Sequence, residues 1–288
     1  MEGSKRGLNY EQIILYLIVI PIGFIAVLRG LGWICRTIAP DLSVDISRII
    51  IELLIAVPVF LVFKQTIQQG EKHILTPLRF LFCFLYLGIP FLVHAGMNIF
   101  GHEIQTGFAN VLPAVLGAFA VAFCEELIFR GVIFNKVQGL LFGRKNVFLI
   151  AALLSSCAFG LVHFGNLIEQ SLIGTVMQVY FAFATGLCFC GIYLFSGTLL
   201  VPILLHGIVD TGSFLLVENA DATAASFDWI KMGLSTLILV IGLVLLIIYE
   251  KRVLCQKSNK AMRRKPEHMT GKLAHESQGD GEMREDYE

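Results

Sequence analysis

The stretch FANVLPAVLGAFAVAFCEELIFRGVIF, Phe108 to Phe134, is apolar and long enough to cross a bilayer, yet it carries Glu125, Glu126 and Arg130 in its second half. A hydrocarbon core about 30 Å thick needs about 20 apolar residues to span it. A charge at the middle of such a helix costs about 2.5–3.5 kcal/mol on insertion scales, so ionisable groups there face a cavity or a partner rather than lipid. The stretch predicts a membrane helix built around a buried polar site.

The rest of the chain has the same character. It is 56% hydrophobic and 15% charged, with a mean hydropathy of +0.75, far from the composition of an ordinary soluble domain. Apolar runs predict spans at Ile13–Cys35, Ile49–Phe63, Leu78–Ile99, Phe108–Phe134, Val147–Phe164, Leu172–Phe195, Thr198–Val217 and Ile230–Tyr249. The expected fold is therefore all-α, a polytopic integral membrane protein with about eight transmembrane helices. Lys and Arg collect in short cytoplasmic loops. Here they lie at Lys5 and Arg6, at Lys64, Lys72 and Arg79, at Lys136, Arg144 and Lys145, and after Tyr249. The loops around Gly101, Asn166 and Asp221 carry none, although Arg36 and Arg48 break the alternation. Both termini are expected in the cytoplasm.

The first hydrophobic stretch has no small-x-small cleavage pattern before Arg29 and reads as an uncleaved anchor. The seven cysteines lie mostly within helices and read as reduced packing residues. Residues 1–249 form the expected transmembrane domain, and the charged stretch 250–288 a disordered cytoplasmic tail. The formal net charge is zero, and no nucleic-acid partner is expected.

Helical geometry sorts the ionisable groups. Positions i and i+4 share a face, so Glu126 and Arg130 can pair while Glu125 points elsewhere with a carboxylate left to accept a proton. Two more intramembrane elements carry acid-base groups: FGLVH, ending at His163, and HGIVD, from His206 to Asp210, with its histidine and aspartate on one face. Phe159, four residues before His163, either packs beside that imidazole or faces lipid.

The ordered set EExxxR, FxxxH and HxxxD resembles the CPBP intramembrane proteases, the group of the type II CAAX prenyl endopeptidases and the bacterial Abi or bacteriocin self-immunity proteins. The likeness covers about residues 108–217. It implies Glu125 as catalytic base, Glu126 with Arg130 as its supporting pair, and His163, His206 and Asp210 completing the site. Asn is common at the position of Asp210 in the endopeptidases; an ionised Asp accepts but does not donate hydrogen bonds, so here it is expected to orient His206. The implied activity is endoproteolysis of a peptide or membrane-tethered protein segment among membrane lipids, in a bacterial plasma membrane.

Peptide hydrolysis needs an activated water, a polarised carbonyl and a proton for the leaving nitrogen, which Glu125, His206 and His163 are suited to supply. A divalent metal such as zinc, held by Glu125, His163 and His206, is an alternative, although HExxH is absent. The preferred reading is metal-free. Two other classes compete: a proton-coupled transporter, whose relays use the same residue types, and a noncatalytic immunity or scaffold protein binding a peptide in the same cavity. A difficulty of depth remains. With the fourth helix ending at Phe134, Glu125 falls in the cytoplasmic half and His163 near the far end of the next span, unless boundaries differ or that span begins outside the bilayer.

Bland readings cover the other polar groups. Glu52 follows Arg48 by one turn at a membrane edge and reads as a surface pair. Arg29 reads as snorkelling, and His94 and His102 as interfacial.

Overall fold

The computed structural model describes residues 9–70, 76–100, 102–217 and 228–279, without the side chains of residue 70 and residues 257–279. Lys5, Arg6, Lys72 and most charges of the tail therefore lie outside the described side chains. Two compact units divide the chain, Met1–Ile247 and Ile248–Glu288. The second is helical from Ile248 to Gly279; the first contains the whole candidate site.

Among the described residues there are helices and no strands. They are α1 (Tyr10–Ile38), α2 (Val44–Gln69), α3 (Pro77–Tyr86), α4 (Ile89–Ile99), α5 (Phe108–Leu140), α6 (Val147–Ile168), α7 (Leu172–Ser196), α8 (Leu200–Phe214) and α9 (Trp229–Gln256). Six of them are long and apolar enough to cross a membrane, and α3 with α4 makes a seventh if the pair, bent by 44°, is one span. The bend falls where Pro90 enters the first turn of α4 and removes a backbone donor.

The expectation of about eight spans is thus corrected. The stretch Thr198–Val217 yields only the 15-residue α8, about 22 Å long and short of a bilayer's hydrocarbon thickness. Gly197, in the left-handed region at φ 75°, ends α7 and turns the chain into α8.

Helix α5 sits at the centre, packed against α2, α6 and α8. Its sequence permits this, because Ala114, Ala118 and Ala122 are fully buried and let neighbouring backbones approach. The closest approach is to α8: a Cβ on Gly207 would lie 2.5 Å from the Phe119 ring. Gly212 of α8 meets α4 as closely, with the Ala95 carbonyl oxygen 2.7 Å from where its Cβ would be. The chain entering α5 is pinned to the end of α8, where Gln105 N donates to Leu215 O at 2.7 Å and Val217 N to Glu103 O at 3.0 Å. Two helices that carry acid-base groups are thereby locked side by side.

The apolar run ended at Phe134, but α5 continues to Leu140. Asn135 sustains it, its side-chain amide donating to Gly131 O at 2.9 Å and to the Tyr193 hydroxyl of α7 at 3.0 Å. This length removes the difficulty of depth. Measured from the loop joining Leu140 to Val147, Glu125 lies 15 residues back along α5 and His163 16 residues along α6, about 22 and 24 Å. By this count the two residues lie within about one helical turn of the same height.

Candidate functional site

The site forms where α5, α6, α7 and α8 meet. Beyond Glu126 the backbone of α5 widens into π-helical turns over Leu127–Phe134, all of them buried. Such turns are rare and recur at functional sites. Glu126 and Arg130 are 0% and 1% exposed, with Arg130 Nη1 2.8 Å from Glu126 Oε1. That contact is an ion pair without the alignment of a hydrogen bond, and Glu126 Oε2 and both terminal nitrogens of Arg130 have no hydrogen-bond partner among the described residues. The guanidinium instead lies over aromatic faces, 4.3 Å from the centroid of Phe159 and 5.5 Å from that of Phe189. Gly186 makes room for it: a Cβ there would lie 3.2 Å from Arg130 Nη2 and 3.1 Å from Ser156 Oγ.

His206 receives what α5 presents. Its Nδ1–H donates to Glu126 Oε1 at 2.9 Å, which orients the ring and turns Nε2 toward the other carboxyls. Nε2 is 3.6 Å from Glu125 Oε2 and 3.5 Å from Asp210 Oδ2. The side chains of Glu125 and Asp210 keep 13% and 22% exposure, whereas Glu126 keeps none. The two carboxyls that face Nε2 are thus the more open ones. Five of the six residues singled out from the sequence, Glu125, Glu126, Arg130, His206 and Asp210, are in one connected cluster.

The sixth, His163, joins through Phe159. Its Nδ1–H donates to the Phe159 carbonyl at 2.8 Å, leaving Nε2 outside that bond. The Phe159 ring stands edge-on to His163 at 5.0 Å and to His206 at 6.0 Å. His163 is also within electrostatic reach of His206 and Arg130. Phe159 is 2% exposed, so it packs against the imidazoles and does not face lipid.

Three bland readings change. Glu52 is buried, not part of a surface pair, and sits against the Cys124 thiol. The α2 helix begins at Val44, not Ile49, which carries Glu52 two turns inside it. The Arg48 guanidinium lies 4.4 Å from the Phe214 ring centroid. Arg29 donates to the Gly165 carbonyl at 2.6 Å and pairs with Glu169 at 3.4 Å, tying α1 to the end of α6 just past His163. His94 is buried with its ring stacked on Phe181 at 3.9 Å, whereas His102 is exposed as expected. Phe189 and Gly186, which frame Arg130, carried no signal in the sequence beyond the small size of the glycine.

Among the described residues no three His, Cys, Asp or Glu side chains gather as a metal-binding group, so Glu125, His163 and His206 do not fit a three-ligand shell in this arrangement.

Residues 107–212 match a family model described as Type II CAAX prenyl endopeptidase Rce1-like. This is the group that the ordered motifs resemble, and the family is one of CAAX-type intramembrane proteases. The match includes all six residues of the cluster and leaves out Glu52. No curated protein and no solved structure matches the chain.

Proposed function

We propose, on the premise that residues 107–212 are an Rce1-like segment, that the protein is an intramembrane endopeptidase in which Glu125 activates water for attack on a peptide bond. The observation that carries this reading is the convergence of Glu125, Glu126 and Asp210 on the two nitrogens of His206. Glu126, anchored by Arg130, holds Nδ1 and leaves Nε2 to work beside Glu125.

Hydrolysis then proceeds by proton movements that balance. Glu125 takes a proton from water as the water oxygen bonds to the carbonyl carbon. The developing oxyanion is stabilised in a water-poor site by the Nε2–H of a His206 imidazolium held among Glu125, Glu126 and Asp210, while His163, whose Nδ1–H is given to the Phe159 carbonyl, offers Nε2 as an acceptor for the substrate's N–H. As the C–N bond breaks, the proton that Glu125 took from water passes from its carboxyl to the leaving nitrogen, which restores the carboxylate. Asp210 orients His206 one helical turn away. The substrate is a peptide or membrane-associated protein segment, and the site's place among membrane helices supports a substrate that enters from the bilayer or its surface.

The test is incubation of detergent-purified wild type and Glu125→Gln with a peptide library, followed by mass spectrometry. Cleavage by the wild type and its loss in a folded Glu125→Gln supports the reading. Cleavage that persists in Glu125→Gln overturns it. A cellular effect that survives the same substitution points to the noncatalytic binding protein instead.

A further inference from the structure

The site described so far uses three carboxyls, and a fourth is turned toward it from outside the family-matched segment. Glu52, on α2, is 4% exposed, and its Oε2 is buried with no hydrogen-bond partner among the described residues. An ionisable side chain buried among membrane helices is costly to keep, so it points to a role. Its surroundings are specific. From α5 it meets the Cys124 thiol, next in sequence to Glu125, and is within electrostatic reach of Glu125 itself. Asp210 on α8 is also within its electrostatic reach, and on its own helix Arg48 lies one turn before it.

Helix pairing places it there. Gly117 of α5 and Asp45 of α2 are in contact range, a Cβ on Gly117 lying 3.6 Å from Asp45 O, and seven residues further along each helix stand Cys124 and Glu52. Two turns in parallel register bring the α2 carboxyl beside the catalytic one. Along α8, Asp210 lies one turn from His206 and Phe214 one turn further, where its ring meets Arg48. The ionisable groups thus run from Arg130 and Glu126 through His206, Glu125 and Asp210 to Glu52 and Arg48.

We propose that Glu52 is a positioning residue of this site, a fourth carboxyl on α2 that sets the charge carried by Glu125 and Asp210. The inference rests on the reading of Glu125 as the base. Carboxyls that share a low-dielectric site oppose one another's ionisation, and a cation facing them favours it. Glu52 and Arg48 therefore act in opposite senses on the pH range over which Glu125 is ready to accept a proton. Neither touches the substrate.

The experiment measures the pH profile of peptide cleavage for wild type, Glu52→Gln, Glu52→Asp and Arg48→Gln. Glu52→Gln removes a like charge, so the acidic limb of kcat is expected to move by about one pH unit toward acid, with KM within about twofold. Glu52→Asp restores the wild-type limb, and Arg48→Gln moves it toward alkali. An unmoved limb in Glu52→Gln overturns the proposal. If Glu52→Gln does not fold, an unmoved limb in Arg48→Gln does so. A second readout separates this from the proteolytic reading: infrared titration of the carboxyl band that Glu125→Gln abolishes. If the wild type cleaves nothing while Glu52→Gln shifts that titration, the coupling stands and the protease reading falls. If the titration is unmoved, the coupling itself is overturned.

Discussion

Substituting Arg130 by Met removes one partner of a pair that water does not reach. Arg130 and Glu126 are 1% and 0% exposed and 2.8 Å apart. At an effective dielectric of about 20, unit charges at that separation attract by about 6 kcal/mol, most of which offsets their desolvation. What decides the outcome is the ion left behind. Glu126 would keep only the His206 Nδ1–H, 2.9 Å away, so breaking the pair costs toward the lower end of about 3–5 kcal/mol, and the loss of the guanidinium from the Phe159 face, 4.3 Å away, adds about 2 kcal/mol if desolvated. These terms share one side chain and do not add in full, so Arg130→Met is expected to destabilise by about 4 kcal/mol or more. Denaturant unfolding in detergent micelles, followed by tryptophan fluorescence, measures it. The sharper result is the pairing: Glu126→Gln with Arg130→Met, which leaves no unpaired ion, should recover about half of the loss or more. A double variant no more stable than Arg130→Met, or a single variant within about 1 kcal/mol of wild type, would refute the reasoning.

Gly207→Ala places a methyl group 2.5 Å from the Phe119 ring and should cost about 1–3 kcal/mol by overpacking, with Phe119→Leu in the same chain restoring much of it; thermal unfolding decides. His206→Gln removes the group between Glu126 and Glu125 and should lower kcat by about 10²–10⁴, read in a peptide-cleavage assay in which an unchanged kcat would remove His206 from the chemistry. Asp210→Asn keeps a side-chain acceptor 3.5 Å from Nε2 and should retain more activity than Asp210→Ala, a ranking that the same assay reverses if Asp210 has no part in orienting the ring. Arg29→Ala removes a partly exposed contact to Glu169 and the Gly165 carbonyl and should change stability by about 1 kcal/mol or less, checked by unfolding in micelles.

Local spacing carried the pairings that one helix can make by itself. Glu126 with Arg130, and His206 with Asp210, follow from the i,i+4 geometry of α5 and α8. The contact between those pairs, His206 to Glu126, is tertiary, and only the order of the motifs hinted at it. Helix ends were the weak point, because polar residues interrupt an apolar run without ending a helix. Asn135 and Lys136 broke the run at Phe134, yet hydrogen bonds from Asn135 carry α5 to Leu140, and that extension brings Glu125 within about one helical turn of the height of His163. The start of α2 shows the same shortfall at the other end of a helix. The apolar run begins at Ile49 and would leave Glu52 at an edge, whereas the helix begins at Val44 and holds Glu52 two turns inside it, beside Cys124 of α5. The expected seventh span, Thr198–Val217, is shorter than an apolar run suggests, a 15-residue helix that ends at Phe214.

Isotope incorporation during a single turnover tests most directly whether Glu125 drives hydrolysis. Reconstituted wild type, mixed in excess with a peptide it cleaves in water enriched in oxygen-18, should place one heavy oxygen in the new C-terminal carboxyl, and folded Glu125→Gln should form no product on the same timescale. Labelled product from Glu125→Gln at the wild-type rate would contradict a water activated by that carboxylate.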